Sequence, residues 1–260
     1  MALNHRFPPE ILDHIVDLLH DDPVALEQCC LVSKSWVART RKHLFAAIAF
    51  CTQGDIQAWK ATFPDASNSP GYYTRTLTIN CPEIVTAADV KEGGWIRAFL
   101  RVVCLDLDSR LSERFLEDDP KTIYAPFHKI SPTVKTLNVT SFFLSRSEVF
   151  HLVHSFPLLE DLTLMGKYIT DHESDGSETV DPPATSPPLT GSLDLTLPGW
   201  MTGTVRRLLD LPNGIRFRKV NVCCVGEDDN RSTVELVVGC SETLEHLDLM
   251  YHLKGALHSV

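Results

Sequence analysis

The side chains that can carry chemistry are scattered along the chain instead of forming a known motif. His151 and His154 stand three residues apart on a predicted helix and could share a metal ion, but such a pair is more often an ordinary feature of a helix face. Asp106 and Asp108 flank Leu107 on a predicted strand and resemble a pair of catalytic carboxylates. The same spacing is typical of outward polar positions on a strand. We therefore predict ordinary surface roles for both pairs.

The sequence motifs of common enzyme classes are missing. There is no Gly-x-Ser-x-Gly nucleophile motif, no phosphate-binding Gly-Lys-Ser/Thr loop and no His-Glu-x-x-His zinc motif. The eight cysteines never take the Cys-x-x-Cys spacing, and most stand in apolar segments, which favours reduced core thiols in the cytoplasm or the nucleus. The sequence predicts a protein that is not an enzyme and that needs neither a metal ion nor a cofactor.

The charge and hydropathy patterns restrict the class of partner. The 260 residues include 34 acidic and 24 basic side chains, for a net charge of −10, which disfavours nucleic acid as the main partner. Residues 1–5 do not begin a signal peptide, and the longest apolar block, residues 44–51, is too short to span a bilayer. We expect a protein partner, with no membrane or nucleic acid.

The first fifty residues predict three short helices, at about 8–19, 23–31 and 33–48. Pro8 and Pro9 suit the start of the first helix, and Asp22 suits an N-cap followed by Pro23 at the first helical position. The apolar residues of the first helix cover a wider arc than one small core needs. One face of this region is therefore expected to meet a partner.

From residue 74 onward a strand-like x-Leu-x-Leu element recurs at intervals of 25 to 33 residues. The seven elements are 75–79, 103–107, 134–139, 159–164, 192–197, 217–222 and 244–249. Their alternation places Leu or Val in a core and polar residues on the other face of a parallel sheet. Helices are predicted between them, starting near Ser145, Thr204 and Ser232.

Three further segments of this second region carry signals besides the strand repeat. An acidic and proline-rich stretch at about 170–191 predicts a disordered insertion, either a solvated loop or an acidic or regulated contact surface. Arg216, Arg218 and Lys219 form a basic cluster, which is either a solvent-exposed edge or a binding site for an acidic or phosphorylated substrate segment. After Leu249, either residues 251–260 fold over the last strand or a longer parent has been shortened.

The N-terminal region resembles the F-box family. The resemblance covers about residues 5–50 and lies in Phe-Pro-Pro-Glu-Ile-Leu at 7–12, Leu-Val-Ser-Lys-Ser-Trp at 31–36 and Leu-Phe at 44–45. Phe7 departs from the leucine usual in the family but keeps a bulky apolar side chain. The resemblance implies a three-helix module that binds a Skp-type adaptor and, through it, a cullin scaffold. The residues expected to bind or support the adaptor are Phe7, Pro8, Pro9, Glu10, Ile11, Ile15, Leu19, Leu26, Val32 and Trp36.

The repeats resemble leucine-rich repeats, which F-box proteins commonly use to hold a substrate. The expected fold is α+β overall, with an F-box at 5–50, a linking helix and loop at 51–73 and an α/β solenoid with a parallel sheet at 74–260. Trp59 and Phe63 on the linking helix are expected to dock the two parts. The implied function is substrate recognition for a cullin-based ubiquitin ligase. The alternatives are a scaffold without a ligase role and repeats that hold a small molecule.

Overall fold

The fold combines an N-terminal group of three helices with an eight-stranded parallel sheet. The structure is a computed structural model. It describes residues 8–80, 85, 89, 94–109, 127, 130, 132–144, 146–169, 189–197, 201–211, 213–224 and 227–251. The chain is therefore an α/β protein in which each strand pairs in parallel with the next along the sequence. None of the helices in these ranges has the length and apolar character needed to cross a membrane.

Three helices form the N-terminal helical module, residues 9–44. They are α1 at Pro9–Leu18, α2 at Pro23–Val32 and α3 at Lys34–Leu44. The predicted helix starts are confirmed: α1 begins at Pro9, and the Asp22 carboxylate accepts a hydrogen bond from the Ala25 amide at 3.0 Å ahead of Pro23. Proline suits a first helical position because the N–H group that it lacks would have no partner within the helix there.

The third predicted helix was extended too far. It ends at Leu44, and Ala47–Phe50 form the strand β1, which pairs with the next strand. Ile48 is half-buried and Phe50 is buried, whereas Ala47 and Ala49 are exposed. This two-residue period is that of a strand, and the alanines concealed it in the sequence because alanine is the strongest helix former.

All seven predicted strands are confirmed, with β1 preceding them. The seven are β2 at Thr76–Ile79, β3 at Cys104–Asp108, β4 at Thr136–Leu144, β5 at Asp161–Ile169, β6 at Ser192–Thr196, β7 at Lys219–Cys224 and β8 at His246–Tyr251. Their order in the sheet is the order in the chain. Each x-Leu-x-Leu element aligns with its neighbours, as Leu77, Leu105 and Leu137 do in β2, β3 and β4.

One face of the sheet is buried under the segments that connect its strands. Leu77, Leu105, Leu137 and Leu193 are fully buried there, and the polar residues between them face outward. The connecting helices are α5 at Arg146–His154, α6 at Met201–Leu209 and α7 at Glu227–Gly239. Their apolar residues join the strand residues in a single core, which has the layered order expected when a sheet buries one apolar face.

Two of the predicted helix starts are wrong. Helix α6 begins three residues before Thr204 and α7 begins five residues before Ser232, so both residues are buried within helices. Ser and Thr are tolerated inside a helix when their hydroxyls find a nearby carbonyl; Thr233 of α7 donates to the carbonyl of Asp229 at 2.7 Å. The hydroxyl side chains were therefore misleading as capping signals.

A helix, α4 at Gln53–Thr62, lies in the predicted linking segment, but it follows β1 and therefore connects the first two strands of the sheet. Thr52 caps it, and the Asp55 carboxylate accepts a hydrogen bond from the Thr52 amide at 2.8 Å, which completes a capping box. The Trp59 ring lies 6.4 Å from the ring of Phe45 at the end of α3 and 5.6 Å from that of Phe50 in β1. It also lies 5.7 Å from the ring of Phe99 in the sheet core, so one aromatic cluster holds both parts.

The end of the predicted insertion belongs to the sheet region. Leu189 is buried and forms a parallel bridge with Ile215, and the Gly191 amide donates to the carbonyl of Glu160 at 3.0 Å. A side chain at residue 191 would collide with the Asp161 carboxylate, which explains the glycine. The rest of the insertion, 170–188, lies outside the described residues.

Candidate partner-binding surfaces

The helical module has a very small core of its own. Its buried residues among those described are Val16, Leu26, Cys29 and Thr40. The Thr40 hydroxyl is satisfied by donating to the carbonyl of Trp36, one turn earlier, at 2.7 Å. Modules of this size seldom bury enough apolar area to be stable alone, so the module depends on what packs against it.

A carboxylate on α1 fixes the position of α1 against α3. Asp17 accepts two hydrogen bonds from the Arg39 guanidinium, that from Nε at 2.6 Å, and its Oδ1 lies 2.7 Å from Nε2 of His43. These partners, Arg39 first and His43 second, hold the pKa of Asp17 well below its ordinary range. The carboxylate therefore stays charged, and α1 is anchored through a polar link where apolar contact is limited.

Most of the large apolar side chains of α1 and α2 face outward. Six of them are between 40% and 80% exposed, and together they are called here the module surface: Ile11, Ile15, Leu18, Val24, Leu31 and Val32. On α1 the residues follow helical spacing, so Ile11, Ile15 and Leu18 form one stripe. An exposed apolar stripe of this kind marks a site of protein association.

The predicted adaptor-binding residues differ in how far they are exposed. Pro8, Glu10, Ile11, Ile15 and Val32 are exposed, and Leu19 and Trp36 are half-buried. Pro9 is the first residue of α1, and Phe7 lies outside the described residues.

Leu26, which was predicted to bind or support the adaptor, is placed for support and not for direct contact. It is 1% exposed and belongs to the core of the helical module, so its side chain cannot touch a partner that docks on the module surface. Its position on α2 faces the other helices, and its role is to hold α2 in place.

Sequence reasoning did not assign Leu18, Val24 and Leu31 to the candidate surface, although all three are exposed. The sequence did contain a signal for two of them, because Leu18 is followed by the apolar Leu19 and Leu31 by the apolar Val32. Neighbouring residues on a helix point about 100° apart, so a core as small as this one cannot cover both members of each pair. Leu31, at 80%, is the most exposed of all six.

A second candidate surface is the outward face of the sheet, where polar side chains form rows across the strands. The Asp106 carboxylate accepts hydrogen bonds from the Thr78 hydroxyl at 3.0 Å and the Asn138 amide at 2.5 Å, linking β2, β3 and β4. One row away, Asp161 accepts hydrogen bonds from the Ser192 amide and hydroxyl, both at 2.7 Å. The face is therefore polar and ordered.

This bonding argues against a catalytic role for Asp106. Its two oxygens are occupied by side chains of the neighbouring strands, which is the structural role expected for a polar row on a sheet. Beside it, burial, and then the Asp106 charge, raise the pKa of the Cys104 thiol to about 11, which disfavours the nucleophilic thiolate at neutral pH.

The other polar candidates are exposed, except His154, which is half-buried. Arg216, Arg218 and Lys219 are exposed around the start of β7. His151 and His154 lie in the last turn of α5, where burial, and then His151, lower the pKa of His154. Among the residues that the structure describes, no three His, Cys, Asp or Glu side chains are grouped as a metal ion would require.

Comparison with known proteins adds no assignment. No family model matches the chain. No curated protein matches it either.

Proposed function

We propose that this protein is a non-catalytic substrate-recognition subunit of a cullin-based ubiquitin ligase. In this proposal residues 9–44 are an F-box that binds a Skp-type adaptor, and the sheet with its helices is a leucine-rich-repeat solenoid that binds the substrate. The single observation that carries the proposal is the module surface, six large apolar side chains left exposed on helices whose sequence resembles the F-box.

The energetics of the module surface explain why a partner is needed. Fully burying one Val, Leu or Ile side chain contributes about 1.5–3 kcal/mol. Six such residues are exposed on the module, whereas its buried apolar residues among those described are Val16, Leu26 and Cys29. An adaptor that covers the surface therefore stabilises the module as well as binding it.

The geometry between the two surfaces fits the delivery of a substrate. The aromatic cluster around Trp59 packs against α3 on one side and against β1 and the core of the sheet on the other. A rigid connection fixes the distance between the adaptor and whatever the sheet binds, which favours transfer to a substrate held in one orientation. The polar outward face of the sheet is the proposed substrate surface.

Co-purification tests the proposal. The chain is co-expressed with a Skp-type adaptor and a cullin, as wild type and as a triple variant carrying Ile15→Asp, Leu31→Asp and Val32→Asp. Leu158→Asp is the matched control, because Leu158 is an exposed leucine of the sheet region. We expect wild type and control to retain adaptor and cullin and the triple variant to lose both, with circular dichroism confirming that each is folded.

The alternative function is a protein-binding scaffold without a ligase role. A complex that keeps the adaptor but lacks the cullin favours the scaffold. Loss of neither partner in the triple variant removes the module surface as the binding site and with it the main proposal.

A further inference from the structure

The outward face of the sheet carries the same set of three polar residues twice, in one row across six strands. The first set, on β2, β3 and β4, is called here the first triad and consists of Thr78, Asp106 and Asn138. The second triad follows it on β5, β6 and β7 and consists of Thr163, Asp194 and Asn221. All six side chains are half-buried, so the two triads have the same chemistry in the same setting.

The two triads differ in how their hydrogen-bonding groups are used. In the first triad the Asp106 carboxylate accepts hydrogen bonds from the Thr78 hydroxyl at 3.0 Å and from the Asn138 amide at 2.5 Å. In the second triad none of the three side chains forms a hydrogen bond or an ion pair within the part of the chain that the structure describes. The first triad is therefore complete within the fold, whereas the second keeps its hydrogen-bonding groups unused.

The unused groups of the second triad suit a cation. Asp194 contributes a carboxylate, and the Asn221 carbonyl and the Thr163 hydroxyl flank it as further acceptors on strands about 4.8 Å away. A guanidinium has five N–H donors in a planar fork and pairs with a carboxylate through two parallel hydrogen bonds. The net charge of −10 over the whole chain acts in the same direction, because it attracts a basic segment.

Two charged residues lie one row away from the second triad, Asp161 on β5 and Lys219 on β7. The hydrogen bonds that Asp161 accepts from Ser192 come from an amide and a hydroxyl, which are neutral groups. Lys219 is exposed and forms no ion pair with a described residue. Together with Asp194, this part of the face holds two carboxylates and one ammonium group, so its charge is complementary to a basic segment.

An exposed apolar side chain lies beside the second triad. Met165 is two residues after Thr163 on β5, so it points to the same face, and it is 38% exposed. The spacing of a sheet puts it about 8 Å from Asp194, close to the distance of about 7 Å between alternate residues of an extended chain. Because a methionine side chain adapts to apolar partners, an extended segment can contact both residues with side chains two positions apart.

We propose that the second triad and Met165 bind an extended basic segment of the substrate. An arginine of the segment pairs with Asp194, and an apolar side chain two positions away packs on Met165. The inference rests on the proposed function, because it names the class of substrate that the sheet holds. The first triad takes no part, since the Asp106 carboxylate is occupied within the sheet.

Peptide binding to the full chain tests the proposal. The probes are the fluorescent nonapeptide Arg-Thr-Leu-Thr-Arg-Thr-Leu-Thr-Arg and a counterpart with glutamate in place of each arginine. Fluorescence anisotropy is expected to show binding of the arginine peptide, weakened by added salt, and no binding of the glutamate peptide. Asp194→Asn is expected to weaken binding at least about tenfold. Met165→Thr, which keeps a strand-forming residue, is expected to weaken it about threefold.

Asp106→Asn is the matched control, because it makes the same change in the first triad. Three strand spacings, about 14 Å, separate it from Asp194, so we expect it to change the affinity less than about twofold at physiological salt. It should lower the Tm, since it disturbs hydrogen bonds within the sheet, whereas Asp194→Asn should leave the Tm unchanged. Equal losses of affinity in the two variants, or equal binding of the two peptides, would overturn the proposal.

Adaptor co-purification of the same protein separates this inference from the proposed function. A folded wild type that retains the adaptor but does not bind the arginine peptide overturns this inference alone. One that binds the arginine peptide through Asp194 without retaining the adaptor supports it and removes only the ligase role.

Discussion

The helical module and the sheet use the same kinds of apolar residue in opposite ways. Leu31 at the end of α2 is 80% exposed, whereas Leu105 and Leu137 in the middle of the sheet are fully buried. The sheet covers its leucines with its own connecting segments, from β2 to β7. The module leaves its own exposed, and we propose that a second protein covers them.

The same apolar pattern in the sequence therefore leads to burial in the sheet and to exposure in the module. In the sheet, alternation and burial agree, so each leucine is explained by folding. In the module, the stripe of Ile11, Ile15 and Leu18 exceeds what folding uses, and the surplus requires an external explanation. The leucines of the sheet therefore stabilise the fold, whereas we propose that the exposed apolar residues of the module bind a partner.

The largest expected effect comes from breaking the connection between the two regions. Trp59→Ala removes a ring that contacts Phe45, Phe50 and Phe99, and we expect it to lower the free energy of unfolding by about 3–5 kcal/mol. Urea denaturation measures this loss. Trp59→Phe keeps an aromatic ring in the cluster and is expected to lose much less; equal losses would show that the cluster does not hold the regions together.

A matched pair of leucine substitutions tests the contrast directly. Leu105→Ala leaves a cavity in the sheet core and is expected to cost about 2–5 kcal/mol in unfolding free energy. Leu31→Ala removes an exposed side chain and is expected to change it by less than about 0.5 kcal/mol. Denaturation of the isolated chain distinguishes them, and similar losses would mean that Leu31 is part of a core.

A smaller effect is expected from the polar link in the module. The pKa of Asp17 is lowered by Arg39 and His43, so this pairing stabilises the fold fully above the ordinary pKa of 3.8 and loses that contribution as the pH falls below it. Asp17→Asn should reduce the Tm slightly at pH 7 and make it less sensitive to acid. Thermal melts at pH 7 and pH 3 measure both effects. An unchanged acid sensitivity contradicts the assigned role.

The smallest expected effect concerns a thiol of the sheet. Burial raises the pKa of Cys104 to about 11, so the thiol is neutral at pH 7.5 and should react slowly with iodoacetamide in the folded chain. Mass spectrometry after timed alkylation should find Cys51, which is exposed, modified first. Rapid modification of Cys104 would contradict the burial that the sheet gives it.

The repeat strands were predictable from sequence because x-Leu-x-Leu carries both the period and the core side chains. The strand β1 was not, because Ala47 and Ala49 give a helical preference that pairing with β2 overrides. Thr204 and Ser232 resembled helix caps, but their helices begin earlier, and the long-range packing that decides this has no local signal.

The candidate site was predictable in outline only. The spacing of Ile11 and Ile15 identified an outward stripe on α1, and both are exposed. Leu26 was assigned to the contact surface and is buried, whereas Leu31 was not assigned and is exposed. Which side of α2 faces the other helices depends on how three helices pack together, and a pattern read along one helix does not contain that information.

Calorimetric titration of the chain with a Skp-type adaptor tests the central claim most directly. Leu31→Asp and Leu158→Asp place the same charge on two exposed leucines, one on the module surface and one in the sheet region. The account predicts wild-type affinity for Leu158→Asp and an affinity at least about tenfold weaker for Leu31→Asp, equivalent to about 1.4 kcal/mol. Equal affinities for the two variants, or no binding by the folded wild type, would contradict it.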